Sequence, residues 1–217
     1  MAKGKAVHKG QELNYKQKIE TKTDLPLGDI SDAVATEFEA QEVEWQQDEN
    51  KGKIKDEAIN LARLYHQEIA PAIQPEYVEE EVNFVIPKTG IKIKGFIDVV
   101  EAGGVIRDTK TTSKTPGQDM ADKSLQLSAY SLAYRTLTGT EEKELVLDYL
   151  INSKQPKILI LRTIRTKQDL NRFVAIVTEV SKAIEKDIYY PNPDNYMCNS
   201  ENCGYWNQCI KKFGGKK

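Results

Sequence analysis

Long apolar runs are missing from this 217-residue chain, and no stretch approaches the roughly 20 residues that a membrane-spanning helix needs. The N-terminus, Met1-Ala2-Lys3-Gly4-Lys5, is positive, but no apolar segment follows it. A secretory leader is therefore not expected, and a cytoplasmic protein is. Cysteine is scarce: Cys198, Cys203 and Cys209 all lie in the last twenty residues. An odd, clustered set in a cytosolic chain excludes a disulfide framework and points to metal or cluster ligation, or its remnant. An excess of one charge is also lacking, with 31 basic against 33 acidic residues and a formal net charge of -2. That is not the balance of a dedicated nucleic-acid coat protein, so any such contact needs a local patch. Repeats and low-complexity tracts are absent. What remains is 39% hydrophobic and 29% charged, the mix of an ordinary globular domain with a real core.

The periodicities divide the chain. Up to about residue 75 it reads as helical: Lys5 to Glu20, Ser31 (as N-cap) to Trp45, and Lys53 to Ile69, with breaks at Pro26, Gly28, Pro71 and Pro75. The texture then changes to period two. Tyr77 to Ile86 places Val78, Val82, Phe84 and Ile86 on one face. Pro87-Lys88-Thr89-Gly90 is a turn. Ile91 to Glu101 alternates Ile91, Ile93, Ile97 and Val99 with Lys92, Lys94, Phe96 and Asp98, and Val105 to Thr111 is its hairpin partner. A helix over Ala121 to Leu137, strands over Leu145 to Ile151 and Lys157 to Ile164, and an amphipathic helix over Lys167 to Lys186 follow. That last helix is expected to bury Leu170, Phe173, Val174, Val177, Val180 and Ile184. The order predicts an α/β fold with a mixed β-sheet flanked by helices, not a doubly wound nucleotide fold.

Asp108-Thr109-Lys110 lies near a strand end, so Asp108 and Lys110 project to one face. Whether Asp98, on the preceding strand, joins them depends on register. A two-residue turn pairs Asp98 with Thr109 and separates the acids. A three-residue loop of Ala102, Gly103 and Gly104 pairs Asp98 with Asp108, and such loops need a left-handed residue that either glycine supplies. The three-residue loop is expected, unless a β-bulge alters the count. Two carboxylates and an ammonium on one face are a donor set for Mg²⁺ or Mn²⁺ acting on a phosphodiester, with the lysine stabilising developing charge. Asp-x-Lys by itself is common, and alone it reads rather as a solvated face than as a site.

The context is more specific. Gly95-Phe96-Ile97-Asp98, then Val105-Ile106-Arg107-Asp108-Thr109-Lys110, then Gln126-Leu127-Ser128-Ala129-Tyr130 resembles the RecB-like branch of the PD-(D/E)XK nucleases, which includes phage and CRISPR-adaptation exonucleases. Gly4-Lys5-Ala6-Val7-His8 resembles that branch's G-x-x-x-H motif, and the terminal cysteines with Gly204-Tyr205-Trp206 its C-terminal cysteine group. The resemblance implies a restriction-endonuclease-like core in a single domain over 1–217. Its helical part would reach about 75, the catalytic core would cover about 76–190, and a cysteine-containing tail 191–217. It implies catalytic Asp98, Asp108 and Lys110. A metal would be held by His8, Asp98, Asp108 and the Thr109 carbonyl, and Gln126 and Tyr130 would line the path of DNA. Glu81 resembles an acid that precedes the sheet, with Glu79 and Glu80 as neighbouring alternatives.

The chain departs from the pattern at its cysteines. Cluster-bearing members use four, one of them near the N-terminus, so a [4Fe-4S] site is not expected from this chain alone. Either an upstream segment is missing or the cysteines are structural. A phosphate-contacting surface is expected from Lys92, Lys94, Arg107, Lys110, Lys114 and Lys123, with Arg162, Arg165 and Lys167 nearby. The function expected is hydrolysis of DNA by an exonuclease acting on ends, in recombination, repair or phage DNA processing. The alternative is an inactive DNA-binding or assembly module that keeps the fold. DNA against RNA, strand preference, polarity and protein partners are not readable from these residues.

Overall fold

A computed structural model describes residues 2–43, 50–86, 89–195 and 197–214. The expected helix end at Trp45, half of the Pro87–Gly90 turn and the last three residues of the basic tail lie outside these. The chain divides into two compact units, Met1–Val174 and Ala175–Lys217.

Three helices open the first unit: α1 (Ala2–Thr21), α2 (Leu27–Ala40) and α3 (Lys51–Glu68). The second starts earlier than Ser31. Pro26, with φ -56°, stands at the cap, and its carbonyl accepts from Asp29 and Ile30. Gly28 thus sits in the first turn, where its flexibility costs little, and Ser31 donates its hydroxyl to Leu27 inside the helix. Asn50 caps α3 by accepting from the Lys53 amide at 3.0 Å.

Five strands follow, β1 (Pro75–Val85), β2 (Lys92–Glu101), β3 (Val105–Thr112), β4 (Glu144–Ile151) and β5 (Lys157–Thr163), and they form one sheet in that order. Neighbours run antiparallel except β3 and β4. A parallel pair needs a long crossover, which α4 (Asp119–Asp122) and α5 (Leu125–Thr138) supply. One helix was expected there. Ser124 divides it by starting a new helix, accepting from the Leu127 amide at 3.1 Å. The mixed sheet flanked by helices, with a helical N-terminal part, is the fold class that the sequence predicts.

The hairpin between β2 and β3 fixes the later chemistry. Gly103 and Gly104 both have left-handed φ, at 94° and 82°. A side chain at Gly104 would also meet the Tyr134 hydroxyl at 2.9 Å. The three-residue connection sets Val99 opposite Arg107, so the same register carries Asp98 opposite Asp108.

The two faces of the sheet do different work. On one, Tyr15, Val34, Phe38, Leu61 and Tyr65 of the helices pack with Val78, Val99 and Leu150. Within that layer Arg107 reaches Asp148 with Nη1, 3.0 and 2.9 Å from its two oxygens, and also pairs with Glu101. Tyr65 donates to Asp148 at 3.0 Å and receives from Tyr15 at 3.2 Å. Asp148 is fully buried, so its charge depends on these partners.

The long helix α6 (Lys167–Glu185) corrects one expectation. It buries Leu170 and Phe173, while Val180 and Ile184 are more than half exposed. The stripe continues past Val174 into the second unit, where none of the described residues is fully buried. That unit also holds α7 (Trp206–Phe213), which the sequence reading did not anticipate. Among the described residues no helix is long and apolar enough to cross a membrane.

Asp148→Ala removes an acceptor from both Arg107 and Tyr65 and leaves the buried guanidinium only its pair with Glu101 among the described residues. Urea unfolding should show a loss of roughly 3–5 kcal/mol. A loss below about 1 kcal/mol would mean that the pair does not hold the helical layer to the sheet.

Candidate active site

Alternation along β3 sends Arg107 to the helical layer and Asp108 to the opposite face, towards α5. Gln126 and Tyr130, four residues apart on α5, share one helix face and reach the acids together. Gln126 donates to Asp108 Oδ1 at 2.8 Å and to the Tyr130 hydroxyl at 2.7 Å. Tyr130 donates to Asp98 Oδ1 at 3.2 Å and, more weakly, to Asp108 Oδ1 at 3.5 Å. Lys110 lies 3.0 and 2.7 Å from the two oxygens of Asp108.

Helix α1 brings the imidazole. His8 donates through Nε2 to the Thr109 carbonyl at 2.7 Å, and its Nδ1 lies 3.2 Å from Asp98 Oδ2. Four residues earlier, Gly4 meets the same strand, where an added Cβ would touch Thr111 Oγ1 at 3.4 Å. Glycine and histidine at i and i+4 thus let the helix N-terminus lie close along β3.

Burial drives the electrostatics of this cluster. Asp108 is pushed up to about 6, first by burial and then by the neighbouring charge of Asp98, with Lys110 only partly offsetting them. Asp98 is also raised by burial, but hydrogen bonding to His8 and its charge, with Lys110, bring it below the ordinary value. Burial pulls His8 down; Asp98, the Thr109 carbonyl and Asp108 together lift it above its usual value. Tyr130 is held well above the normal phenol range, first by burial and then by both acids, so it stays a hydrogen-bond donor.

The donors fit a divalent cation. Asp98 Oδ2 and Asp108 Oδ2 are shut off from water, and among the described residues each faces a single cation, His8 Nδ1 at 3.2 Å and Lys110 Nζ at 2.7 Å. Each carboxylate has room to accept a further positive partner. Carboxylate and carbonyl oxygens with one imidazole suit Mg²⁺ or Mn²⁺. The grouping differs in part from the expected one. His8, Asp98 and the Thr109 carbonyl come together as expected, while Asp108 is turned to Lys110 and Gln126. The third acidic member is Glu79, whose carboxylate joins His8 and Asp98 with ligand atoms within 4.8 Å of one another.

Sequence reasoning favoured Glu81 over Glu79. Glu81 is half exposed and pairs with Lys94 at 3.0 Å. A signal for Glu79 existed in the turn: Ile86 donates its amide to Ile91 at 2.8 Å, and the same count sets Val78 opposite Val99 and Glu79 opposite Asp98. Glu79 takes a left-handed φ of 51°, which costs a non-glycine residue about 1–3 kcal/mol. Burial and the charges of Asp98 and Glu12 raise its carboxyl above the usual range.

The expected basic surface is corrected. Arg107 and Arg165 are buried and structural; Arg165 donates to Ser128 Oγ and to the Ala121 and Ser124 carbonyls. Lys94, Lys123 and Arg162 are paired with Glu81, Asp119 and Glu144. Cys198, Cys203 and Cys209 are free thiols lining one cavity of about 840 Å³ in the second unit. Among the described residues they form no group of three within ligand distance.

A family model described as the PD-(D/E)XK nuclease superfamily matches residues 1–210. The chain belongs to the PD-(D/E)XK nuclease superfamily. A crystal structure of an Eubacterium rectale protein with a provisional designation as an exonuclease has a TM-score of 0.56 and 14% identity. It covers 96% of this chain and 80% of that one, and shares the fold. The structure of SSO0001 is 16% identical over 96% of this chain and 84% of that one, with a TM-score of 0.44, too low for a fold comparison. No curated protein matches. PD-(D/E)XK membership supports a nuclease, and the hairpin, Lys110 and α5 are where this PD-(D/E)XK chain gathers its polar residues.

Asp108 gives a stability test in the absence of metal. Its folded pKa lies above the unfolded value, so the unfolded state ionises first as pH rises. Its charge therefore costs stability increasingly between about pH 4 and 6, and fully above that. Asp108→Asn should raise the melting temperature at pH 7.5, and the gain should vanish near pH 4. An equal gain at both pH values would show that the carboxylate is not held at a cost.

Proposed function

We propose that this protein is a metal-dependent deoxyribonuclease of the RecB-like branch, an exonuclease acting on DNA ends in recombination, repair or phage DNA processing. The reading takes the chain as one cytoplasmic nuclease domain, with a helical part to about 75, the core to about 190 and a cysteine tail beyond. The observation that carries it is the placement of Asp98 and Asp108 on one sheet face, with Lys110 at 3.0 Å and the His8–Thr109 pair beside them.

Asp98, Asp108, the Thr109 carbonyl and His8 would hold the cation, with Glu79 as a further candidate ligand. Mg²⁺ or Mn²⁺ bound there supplies Lewis-acid polarisation of the phosphodiester and a water acidified for attack. Lys110 then has two roles in one position. It balances Asp108 before substrate arrives, and it donates to charge developing on the phosphate during cleavage. Gln126 and Tyr130 keep the acids aligned while lining the path of the strand. With its pKa raised first by burial and then by the pair of acids, Tyr130 stays protonated and can donate to a phosphate oxygen. Cys198, Cys203 and Cys209 take no part in this step; they are structural or the remnant of a cluster site.

End-labelled linear DNA and closed-circular DNA, incubated with Mg²⁺, Mn²⁺ or EDTA, test the reading. Linear DNA should be degraded from its ends and the circle left intact, with no activity in EDTA. Lys110→Ala should lose roughly 10²-fold or more in rate. Nicking of the circle would make it an endonuclease. Absence of cleavage with either metal would contradict the proposal.

A further inference from the structure

Lys110 is the least secured group of the candidate site. His8, Gln126 and Tyr130 each bridge two groups there. Lys110 meets Asp108 alone among the described residues, and its side chain is 37% exposed. Asp108 is also one of the groups assigned above to the cation. Once neutralised in that way, the carboxylate pulls less on the ammonium. Lysine carries its charge on a flexible four-carbon stem and loses much side-chain freedom when it is fixed. Its use in cleavage therefore calls for a second restraint, one that does not depend on the charge of Asp108.

The sheet supplies it. The β2–β3 ladder stops at Val99 and Arg107, whereas β3 stays paired with β4 as far as Thr112 and Ile151. Lys110 thus has a paired strand neighbour on one side, and that neighbour is Tyr149. Residues paired on adjacent strands project to the same face about 4.8 Å apart, so the lysine stem and the phenol ring stand side by side. Tyr149 is firmly held. It is 7% exposed, and its strand is bonded to β3 on one side and β5 on the other. A tyrosine ring turns about two side-chain bonds only and loses little freedom on being fixed. Its hydroxyl forms no hydrogen bond with a described residue. Burial, and then the charges of Asp108 and Asp119, raise the phenol above its ordinary value, so the ring stays neutral.

Resting on the nuclease reading above, we propose that Tyr149 is a positioning residue for Lys110. Its ring is the wall against which the lysine stem packs, and it keeps the ammonium aimed at the phosphodiester after Asp108 has been neutralised. In this role Tyr149 touches neither the cation nor the nucleic acid and acts through Lys110 only. The ring does the positioning and the hydroxyl does not, so phenylalanine suffices and a branched aliphatic side chain does not.

Two measurements test this, and the first needs neither metal nor DNA. Asp108→Asn removes the charge of the carboxylate, as a bound cation would offset it. In that variant, ¹³C relaxation of the Lys110 Cε methylene should still report a restrained side chain. Adding Tyr149→Leu should make it as mobile as the exposed Lys154, and adding Tyr149→Phe should not. The second is a double-mutant cycle on DNA cleavage with Mn²⁺. Tyr149→Leu should lower kcat roughly tenfold or more with KM unchanged, and Tyr149→Phe should keep it. In Lys110→Ala, Tyr149→Leu should cost nothing further. Leu161→Ala, a cavity on the same sheet face at β5, should lower Tm and leave kcat unchanged. A Lys110 methylene equally restrained with leucine at 149, or an equal loss of kcat with and without Lys110, would overturn the proposal while the nuclease reading stands. If the wild-type chain cleaves no DNA, the nuclease reading falls, and the relaxation measurement alone decides whether the ring holds the lysine.

Discussion

The repulsion between Asp98 and Asp108 is the constraint around which the molecule is arranged. Two carboxylates share one face of a sheet, one of them nearly inaccessible to water. Each would lose its charge or its position without help. The help comes from several directions: Lys110 on the same strand, Gln126 and Tyr130 on the crossover helix, and His8 from the opening helix. No single partner neutralises the pair, and the outward effects on the two acids are opposite, Asp108 raised and Asp98 lowered. An additional positive charge is what the cluster lacks, and a divalent cation is the chemically suited one.

That arrangement depends on backbone features far simpler than the site. Two left-handed glycines set the β2–β3 register, and with it the pairing of the acids. Strand alternation then separates consecutive residues, Arg107 to a buried ion-pair network and Asp108 to the site. The network anchors the helical layer through Asp148, Tyr65 and Tyr15, and that layer includes α1, which carries His8. Stability and chemistry therefore meet in one strand but on opposite faces. A change in the helical layer should reach the site through the position of α1.

Much of this was legible in the sequence because period-two patterning and turn length are local signals. The five strands, their order and the acid register all follow from alternation and from Gly103-Gly104. The Asp98, Asp108 and Lys110 grouping follows from that register, whereas the place of Gln126 and Tyr130 beside it was implied by the family resemblance. What was not legible depended on long-range partners. Arg107 and Arg165 look like surface cations until their buried acceptors are known. The stripe of α6 looks like a core face, although only its first turns find a core. Glu79 was hidden by two glutamates beside it and by a backbone kink that alternation does not encode. Its position opposite Asp98 was nonetheless implied by the turn between β1 and β2.

The most direct test of the central claim is an anomalous difference map from a crystal of the protein soaked in Mn²⁺. The account predicts a peak in contact with Asp98 and the Thr109 carbonyl, lost in crystals of Asp98→Asn. Mn²⁺ bound only elsewhere, or an Asp98–Asp108 face that stays free of it at saturating concentration, would contradict the claim that these acids are held together to receive a cation.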